Sequence, residues 1–406
     1  MKRKRTFFCI WTYWMTFLLA VLPSCIYDEE PAATDADIVP LHMGITIRVP
    51  GTDPSARGAN HDKENEEGTA LENAIDVKNG DIRIYLYKNG KDANDKANFN
   101  TSTYLGEVSI FDTQENKQGD YTLLGRINAT SDNISEMNTN GFRIVVMANL
   151  AKWYKSESAA DYGYPTLTES LTSFQESYSL FYGDGNKAYN DYGYCVGENK
   201  LIPMWGIHTY KSNEVQLKPD EMFLLEAPID MLRAFAKIEV IDATTDSDLQ
   251  LTEVSLKGHS TQFYIQPHES GYTEGNTDAN FTDCNIPGNS SDTQTALKFT
   301  EDKDTSTDGT DTKKKFVLYV PEYTTTGSSI PMILTVKFGN DVEKDIYLSE
   351  EPSKISTLLR NHIYRFNVSL KKGELSIFYQ GIPWEKKDEI SIESGCDYNY
   401  NQSANN

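Results

Sequence analysis

The sequence predicts an all-β protein built from two tandem β-sandwiches with short helices in loops. Short runs alternate between apolar and polar residues with period two, the pattern of a strand that buries one face. Turn-forming Gly, Pro, Asn and Asp residues separate these runs. Tyrosine, which favours the pleated surface of a sheet, occurs 24 times in 406 residues. Together, these three observations favour sandwiches over any helical fold.

The chain begins with a targeting signal. A basic MKRKR precedes the apolar run TFFCIWTYWMTFLLAV, and LPSC follows, ending at Cys25. A small residue and then cysteine after an apolar run is similar to a lipobox, so residues 1–24 are the predicted signal peptide and Cys25 the lipidation site. A plain secretory signal with an incidental cysteine and an uncleaved anchor helix are the alternatives.

A tether, a strand and an exposed loop are expected next. Residues 26–40 are acidic with Ala and Pro, as in a flexible tether. Residues 41–49 alternate strictly and predict a strand. Its apolar positions are Leu41, Met43, Ile45, Ile47 and Val49. The following GTDPSARGANHDKENEEG is rich in turn-formers and charges, so we expect an exposed loop of the kind that proteases cut.

Further strands are predicted in the first half. DIRIYLYKNGK alternates and ends in Asn-Gly, a hairpin signal, and GFRIVVMANL is a near-continuous apolar run, typical of a central strand covered on both faces. LIPMWGIHTY, EVQLKPDEMFLL and MLRAFAKIEVIDA are also predicted strands, and LTESLTSFQESYSL has some helical character.

The second half repeats the pattern. Strands are predicted in LQLTEVSLKG, TQFYIQP, FVLYVPEY, PMILTVKFG and DIYLSE, with three more in residues 361–393. Residues 268–315 are a polar, unpatterned insertion, and residues 396–406 are expected to be disordered. The best boundary lies near residue 228, giving an N-terminal sandwich over 58–228 and a C-terminal one over 229–406.

Charge and motifs argue against several functions. The formal net charge is −22 although four basic residues lie at the extreme N-terminus, so nucleic-acid binding is not expected. No HExxH, GxSxG, P-loop or GxGxxG motif occurs, and we expect neither enzymatic activity nor a cofactor. For the oxygen-rich stretch 302–311, an EF-hand counted from Asp302 needs Gly at the sixth place and Glu at the twelfth. Those places hold Thr307 and Lys313, so we interpret the stretch as a solvated loop without metal.

The cysteines and one tyrosine cluster leave questions open. No CxxC or Cys/His cluster occurs, so the sequence indicates no disulfide framework or zinc site and does not fix the state of Cys195, Cys284 and Cys396. Exposed tyrosines in FYGDGNKAYNDYGYCVG could stack on sugars, whereas packing of a long loop onto the sandwich is the interpretation that we favour. These tyrosines are Tyr182, Tyr189, Tyr192 and Tyr194.

Taken together, these features are similar to the fimbrillin family, the subunits of Bacteroidota type V pili. The resemblance is carried by the lipobox at Cys25 with the acidic DEE after it, and by GITIRVP, SARGAN, DIRIYLY, RIVVMAN, IPMWG, LRAFAKIEV, FVLYVPEY, RNHIYRFNVSL and PWEKKDEISIE. The insertion 268–315 and the Cys-bearing tail depart from the family pattern. The resemblance implies transthyretin-like sandwiches, an outer membrane lipoprotein as precursor and a final place in a cell-surface fimbrium.

The resemblance also implies how such a subunit is activated. An extracellular arginine-specific protease cuts the loop after the first strand, which in this chain places the cut between Arg57 and Gly58. Residues 25–57 then form a propeptide that leaves with the lipid and with strand 41–49. The emptied slot is refilled by a strand from another subunit, because unpaired strand edges recruit strands.

The expected donor strand lies near the C-terminus. EKKDEISIESG offers Ile390 and Ile392 between polar residues and resembles the family's donor region; an edge strand of its own domain is the alternative. A head-to-tail exchange yields a filament. The expected partners are other pilus subunits in a homo- or heteropolymer, the arginine-specific protease, the outer membrane through the lipid, and a host or bacterial surface receptor.

Two other functions stay open. A surface glycan-binding lipoprotein would keep residues 26–57 and stack sugar on its tyrosines. An adhesive tip fimbrillin would share the fold without needing a donor strand. Arg57 in an accessible loop argues against an anchor that keeps its lipid.

Overall fold

The structure is a computed structural model. It describes residues 38–49, 71–89, 102–117, 119–153, 163–165, 177–179, 201–212, 214–225, 228–245, 249–267, 296–302, 313–326, 330–339, 342–350, 355–371, 374–383 and 398–400. Val39–Asn406 forms one compact unit. Within the described ranges, no helix has the length and apolar character needed to cross a membrane.

Strands dominate the structure, which confirms the all-β prediction. The strands of the first half are β1 (Ile38–Arg48), β2 (Ile82–Asn89), β3 (Ser102–Glu107), β4 (Ser109–Lys117), β5 (Asp120–Thr130), β6 (Phe142–Ala148), β7 (Ser177–Ser179), β8 (Met204–Tyr210), β9 (Met222–Leu224), β10 (Ile229–Asp230) and β11 (Leu232–Arg233). Those of the second half are β12 (Phe235–Asp242), β13 (Leu251–Lys257), β14 (Gln262–Tyr264), β15 (Leu297–Lys298), β16 (Thr300–Asp302), β17 (Lys315–Pro321), β18 (Tyr323–Thr324), β19 (Ile333–Phe338), β20 (Val342–Tyr347), β21 (Thr357–Leu358), β22 (His362–Lys371), β23 (Glu374–Pro383) and β24 (Tyr398–Tyr400).

Two sheets enclose the first core. The first sheet has the order β10-β1-β5-β4, with β9 also paired to β1, and the second has the order β11-β8-β6-β2-β3. Alternate residues of both sheets fill the space between them, including Ile45 and Leu123 from the first sheet and Ile84 and Ile144 from the second. The strand β1 therefore belongs to the wall of a closed core.

The second sheet is covered on both faces. Ile84 and Leu86 of β2 face the first core, whereas Tyr85 and Tyr87 belong to the other core cluster. All seven residues of β6, at the centre of this sheet, are buried. This double burial is the cause of the near-continuous apolar sequence of β6, which only Arg143 interrupts, as the sequence predicted.

The second core lies between a six-stranded sheet, β16-β17-β12-β22-β23-β24, and a four-stranded sheet, β15-β13-β19-β20. This core continues to the second sheet through aromatic rings. The ring centroid of Trp153 lies 5.2 Å from that of Phe235 and 5.3 Å from that of Phe263, both near-perpendicular. Both halves of the chain thus contribute to one apolar cluster.

In the described part of the chain, the helix α1 (Ser131–Asn140) connects β5 to β6. The Thr130 side chain caps it by accepting a hydrogen bond from the Asn133 amide at 3.1 Å. Gly141 ends it with φ of 80°, and its amide donates to the Met137 carbonyl at 2.8 Å. Ile134 and Met137 bury the inner face of the helix.

Several strand predictions need correction in detail. Asn89 of β2 pairs with Ser102 of β3, so residues 90–101 separate the strands and Asn-Gly is not a two-residue turn. Only Met222–Leu224 of EVQLKPDEMFLL is strand, because Lys218–Glu221 forms a turn before it. Ser177–Ser179, within the stretch given helical character, forms β7 and pairs with β14.

The insertion and the tail also contain strands that the sequence did not predict. Leu297–Lys298 and Thr300–Asp302, inside the polar insertion, pair with β13 and β17 respectively. Tyr398–Tyr400, in the tail expected to be disordered, pairs with the edge of β23. In each case the edge of a sheet supplies hydrogen-bond partners for the backbone, so a strand forms where the local sequence has no alternating pattern.

Candidate functional site: the slot of the first strand

The candidate site is the position that β1 occupies in the first sheet. This strand lies between β5 on one edge and the short strands β9 and β10 on the other. Both short strands run parallel to it, His42–Gly44 pairing with Met222–Leu224 and Ile47–Arg48 with Ile229–Asp230. The predicted strand 41–49 is therefore an inner strand of its sheet.

The inner face of β1 is fully buried. The five residues on this face, predicted from the period-two pattern, each have 0% of their surface exposed: Leu41, Met43, Ile45, Ile47 and Val49. All belong to the first core. Burial of five such side chains contributes roughly 7–15 kcal/mol, at ~1.5–3 kcal/mol each.

Backbone hydrogen bonds hold both edges of β1. On one edge the carbonyls of Pro40, Gly44 and Arg48 accept from the amides of Asp220, Leu225 and Met231 at 3.2, 2.8 and 2.7 Å. On the other edge the Val49 amide donates to the Gly119 carbonyl at 2.7 Å. Removal of β1 would leave unpaired backbone groups on both sides of the slot.

An ion pair fixes the C-terminal end of β1. Arg48 Nη2 lies 2.7 Å from Asp230 Oδ1, and Arg48 Nε donates to the same oxygen at 2.8 Å. The Asp230 side chain is only 15% exposed. Burial raises the pKa of Asp230, while Arg48 and His208 oppose this effect.

A close contact marks the middle of β1 on its outer face. A Cβ atom at Gly44 would lie 2.4 Å from Leu224 Cδ2 and 3.4 Å from Leu124 Cδ2. Leu224 is itself 68% exposed, and Met222 and Phe111 are also exposed apolar residues. The outer side of the slot is thus an apolar surface from which Leu224 covers Gly44.

A polar cluster fixes residues 72 and 73, which follow the predicted protease loop. Lys237 Nζ of β12 lies 2.8 Å from Glu72 Oε1, and Tyr319 Oη donates to the same carboxylate. Arg233 donates to the carbonyl of Glu72 at 3.2 Å and to the side chain of Asn73. Residues 72 and 73 are therefore fixed against the second half of the chain.

A shallow groove lies beside α1. It is lined by hydroxyl and amide side chains over an apolar floor: Ser131, Ile134, Ser135, Asn138, Thr139, Gln216, Leu217 and Pro219. Both polar atoms of the Asn138 side chain are engaged by the backbone of Leu217. The groove offers neutral polar groups and no aromatic platform of the kind that stacks on sugar.

The structure places only some of the sequence-predicted site residues. The removable strand is described in full, whereas the lipidation, cleavage and donor positions lie outside the described residues: Cys25, Arg57, Gly58, Ile390 and Ile392. The same holds for Tyr182, Tyr189, Tyr192, Tyr194, Cys195, Cys284 and Cys396. Over the described ranges, no cluster of three His, Cys, Asp or Glu residues could hold a metal ion.

Sequence reasoning missed Gly44, Leu224 and Asp230. Their roles depend on parallel pairing between β1 and strands about 180 residues later. Within the sequence, Leu224 and Asp230 belong to short, irregular stretches without period-two alternation, so no local signal indicates that they face β1.

Comparison with solved structures gives several matches. The structural neighbours of this chain are Bacteroidota fimbrial proteins. The tip fimbrial protein Mfa3 from Porphyromonas gingivalis, with C-terminal truncation, has 10% identity and a TM-score of 0.49, covering 85% of this chain and 100% of that one.

Two further neighbours have lower TM-scores. A fimbrial assembly protein from Parabacteroides distasonis has 11% identity and a TM-score of 0.40, covering 85% of this chain and 96% of that one. The fimbrial anchor protein Mfa2 from Porphyromonas gingivalis has 10% identity and a TM-score of 0.35, covering 84% and 98%. No family model and no curated protein matches.

Proposed function

We propose that this chain is a structural subunit of a cell-surface pilus that supports adhesion and that assembles when β1 is removed and replaced by a strand of another subunit. The precursor is lipidated at Cys25, carried to the outer membrane surface and cut between Arg57 and Gly58 by an arginine-specific protease. The chain acts through assembly and has no catalytic activity or cofactor.

The burial of β1 is the observation that supports this proposal. The strand joins the rest of the chain at its C-terminal end only through the segment that contains Arg57. A cut there leaves β1 held only by non-covalent contacts. Those contacts contribute roughly 7–15 kcal/mol of apolar burial, which is comparable to the whole net stability of a domain, ~5–15 kcal/mol.

The same contacts explain why exchange would be both controlled and durable. Before the cut, β1 is part of the chain and fills the slot at a high effective concentration, so it excludes other strands. After its loss, β5 on one side and β9 and β10 on the other have open edges above an apolar trench. Such edges recruit another strand, and a head-to-tail exchange extends into a filament.

In this proposal the C-terminal region of this chain, with Ile390 and Ile392 as its predicted apolar residues, is the donor strand for the slot of a neighbouring subunit, and the slot of this chain takes a strand from another subunit. The partners are accordingly pilus subunits, the protease, the membrane through the lipid and a surface receptor. The negative charge of the chain keeps nucleic acid out of this set.

Treatment of the purified precursor with an arginine-specific protease tests the proposal. We expect a new N-terminus at Gly58 and ladders on SDS gels run without boiling. The matched control is Arg57→Lys, which keeps the positive charge but removes the cleavage site, and it should stay monomeric. A chain cut at Arg57 that remains a monomer with β1 in its slot would contradict the proposal.

A further inference from the structure

The alternating pattern of β1 fixes which face is buried but not the register of an occupant. A shift by one residue would turn the apolar side chains outward. A shift by two residues keeps apolar side chains inside, because Leu41, Met43, Ile45, Ile47 and Val49 are all apolar. Any feature that selects one register must therefore lie on the outer face or along the edges.

Asp230 is the first such feature. It lies opposite Arg48 in the parallel pair of β1 and β10, and its carboxylate is mostly buried. A two-residue shift would place Thr46 or Pro50 opposite Asp230 and leave the carboxylate without the guanidinium. Loss of a charged partner from a buried carboxylate is costly, because the carboxylate has already lost much of its water.

Leu224 is the second feature. It lies over Gly44, and the backbone there is fixed because the Leu225 amide donates to the Gly44 carbonyl. Since the Leu224 side chain is exposed, it can rotate to admit a methyl group. A branched side chain would have to push Leu224 into the solvent from one side while contacting Leu124 on the other.

We propose that these two residues select the partner strand and its register. This inference rests on the proposed function, since it names the occupant of the same slot. The occupant is a segment of another protein with alternating apolar residues, a small residue in the place of Gly44 and, four residues later, a cation in the place of Arg48. Asp230 and Leu224 are thus specificity-determining residues of the slot.

When the C-terminal region of this chain is aligned in the same chain direction as β1, it does not contain a small residue followed four residues later by a cation. From residue 374 to 406 its cations are Lys386 and Lys387, and the residues four places before them are Ile382 and Pro383, neither of which is small. In the opposite direction Lys387 and Ser391 have the right spacing, but Asp388 then takes the core position of Ile47. The slot consequently favours a different subunit over a second copy of this chain.

A peptide-binding experiment tests the inference. The full chain is cut with the arginine-specific protease, the protease is inhibited, and fluorescent peptides of residues 39–50 are added in excess. The set contains the natural peptide, Arg48→Glu, Gly44→Val and the control Thr46→Val, which adds no bulk near Leu224. Dissociation constants are measured by anisotropy for the wild-type chain and for Asp230→Asn, which is isosteric.

We expect Arg48→Glu to bind the wild-type chain at least about tenfold more weakly than the natural peptide, as for loss of a charged hydrogen bond. Gly44→Val should also bind more weakly, and Thr46→Val should match the natural peptide. On Asp230→Asn the difference between the natural and Arg48→Glu peptides should disappear.

Three other binding results would contradict the selection by Asp230 and Leu224 or the proposed function. If Arg48→Glu and Gly44→Val bind the wild-type chain as well as the natural peptide does, the proposed selection is wrong while strand exchange stands. If the Arg48→Glu effect persists on Asp230→Asn, Asp230 is not the selecting group. If no peptide binds, including the natural one, the slot does not open and the proposed function itself is overturned.

Discussion

Glu239 is a fully buried carboxylate of β12 with three cations around it. Its oxygens lie 2.8 Å from Lys237 Nζ, 2.9 Å from Lys315 Nζ and 2.6 Å from Arg365 Nη2. Burial alone would raise the pKa of Glu239, but the three cations lower it to about 2 from an ordinary value of 4.5. Ionised Glu239 therefore stabilises the folded state.

The pH dependence of folding follows from this sign. Because the pKa of Glu239 is lower in the folded chain, its contribution is complete above about pH 4.5 and is lost as the pH falls towards about 2. We predict that Glu239→Gln lowers the free energy of unfolding by about 3 kcal/mol at pH 7, because it removes the buried carboxylate that Lys237, Lys315 and Arg365 share. Chemical denaturation at pH 7 and pH 3 would measure the loss and its decrease.

The exposed pair of Glu253 with Lys298 provides the control for this prediction. Both side chains are about half exposed, so Glu253→Gln should cost less than about 1 kcal/mol at either pH. Equal losses for Glu239→Gln and Glu253→Gln at pH 7 would contradict the role given to the buried carboxylate.

At the scale of elements, β1 is the core strand that the proposed exchange removes, whereas the other core strands stay in the subunit. Ile45 of β1 and Ile144 of β6 are both fully buried in the first core. We predict that Ile45→Ala and Ile144→Ala each destabilise the uncut precursor by about 2–5 kcal/mol, the usual cost of deleting a buried isoleucine side chain to alanine.

The two substitutions should diverge after cutting and assembly. If β1 leaves as proposed, an assembled subunit no longer contains Ile45, so polymers made from Ile45→Ala should have the wild-type resistance to SDS and heat. Polymers made from Ile144→Ala should remain weaker. Heat stability of the gel ladders measures this difference, and a polymer that keeps the Ile45→Ala defect would show that β1 had stayed in place.

The elements show what sequence could and could not predict. The alternation over 41–49 and the near-continuous apolar run of β6 each follow from the faces that the strand buries, and both predictions are confirmed. Helix α1 was not located, although Thr130 and Gly141 are ordinary capping residues. The strands β9, β10 and β24 are two or three residues long, too short for a period to be detected, and depend on sheet edges formed elsewhere in the chain.

Some residues of the candidate site could also be predicted from the sequence, and others could not. The inner face of β1 could be predicted because the apolar residues alternate with polar ones from Leu41 to Val49, which indicates the side chains that are buried. The partners Leu224 and Asp230 could not, since only the folded chain brings them beside β1. The Glu72 clamp, meaning Glu72 with its partners Lys237, Tyr319 and Arg233, likewise joins residues that are far apart in the sequence.

At the scale of the whole molecule, Glu72 connects the segment after the predicted protease loop to the second half of the chain. Its carboxylate is buried, and Lys237, Tyr319 and Arg233 contact residue 72 from β12, β17 and β11. Burial alone would lower the pKa of Lys237, but Glu72 and Glu239 raise it, so the ammonium group stays charged. We expect this clamp to hold the chain in place once residues before Gly58 have gone.

We predict that Glu72→Gln lowers the free energy of unfolding of the precursor by about 3 kcal/mol, because it breaks a buried ion pair. Chemical denaturation measures the loss. The matched control is Glu107→Gln, whose pair with Arg83 is partly exposed and should contribute less than about 1 kcal/mol. A loss for Glu72→Gln no larger than that of the control would mean that the clamp does not hold the two parts together.

Assembly by strand exchange requires that β1 leaves the subunit. Intact-mass measurement of the chain recovered from assembled fibres on the cell surface tests it most directly. We predict a chain that starts at Gly58 and lacks residues 38–49. A fibre-borne chain that starts at an acylated Cys25 and retains those residues would contradict it.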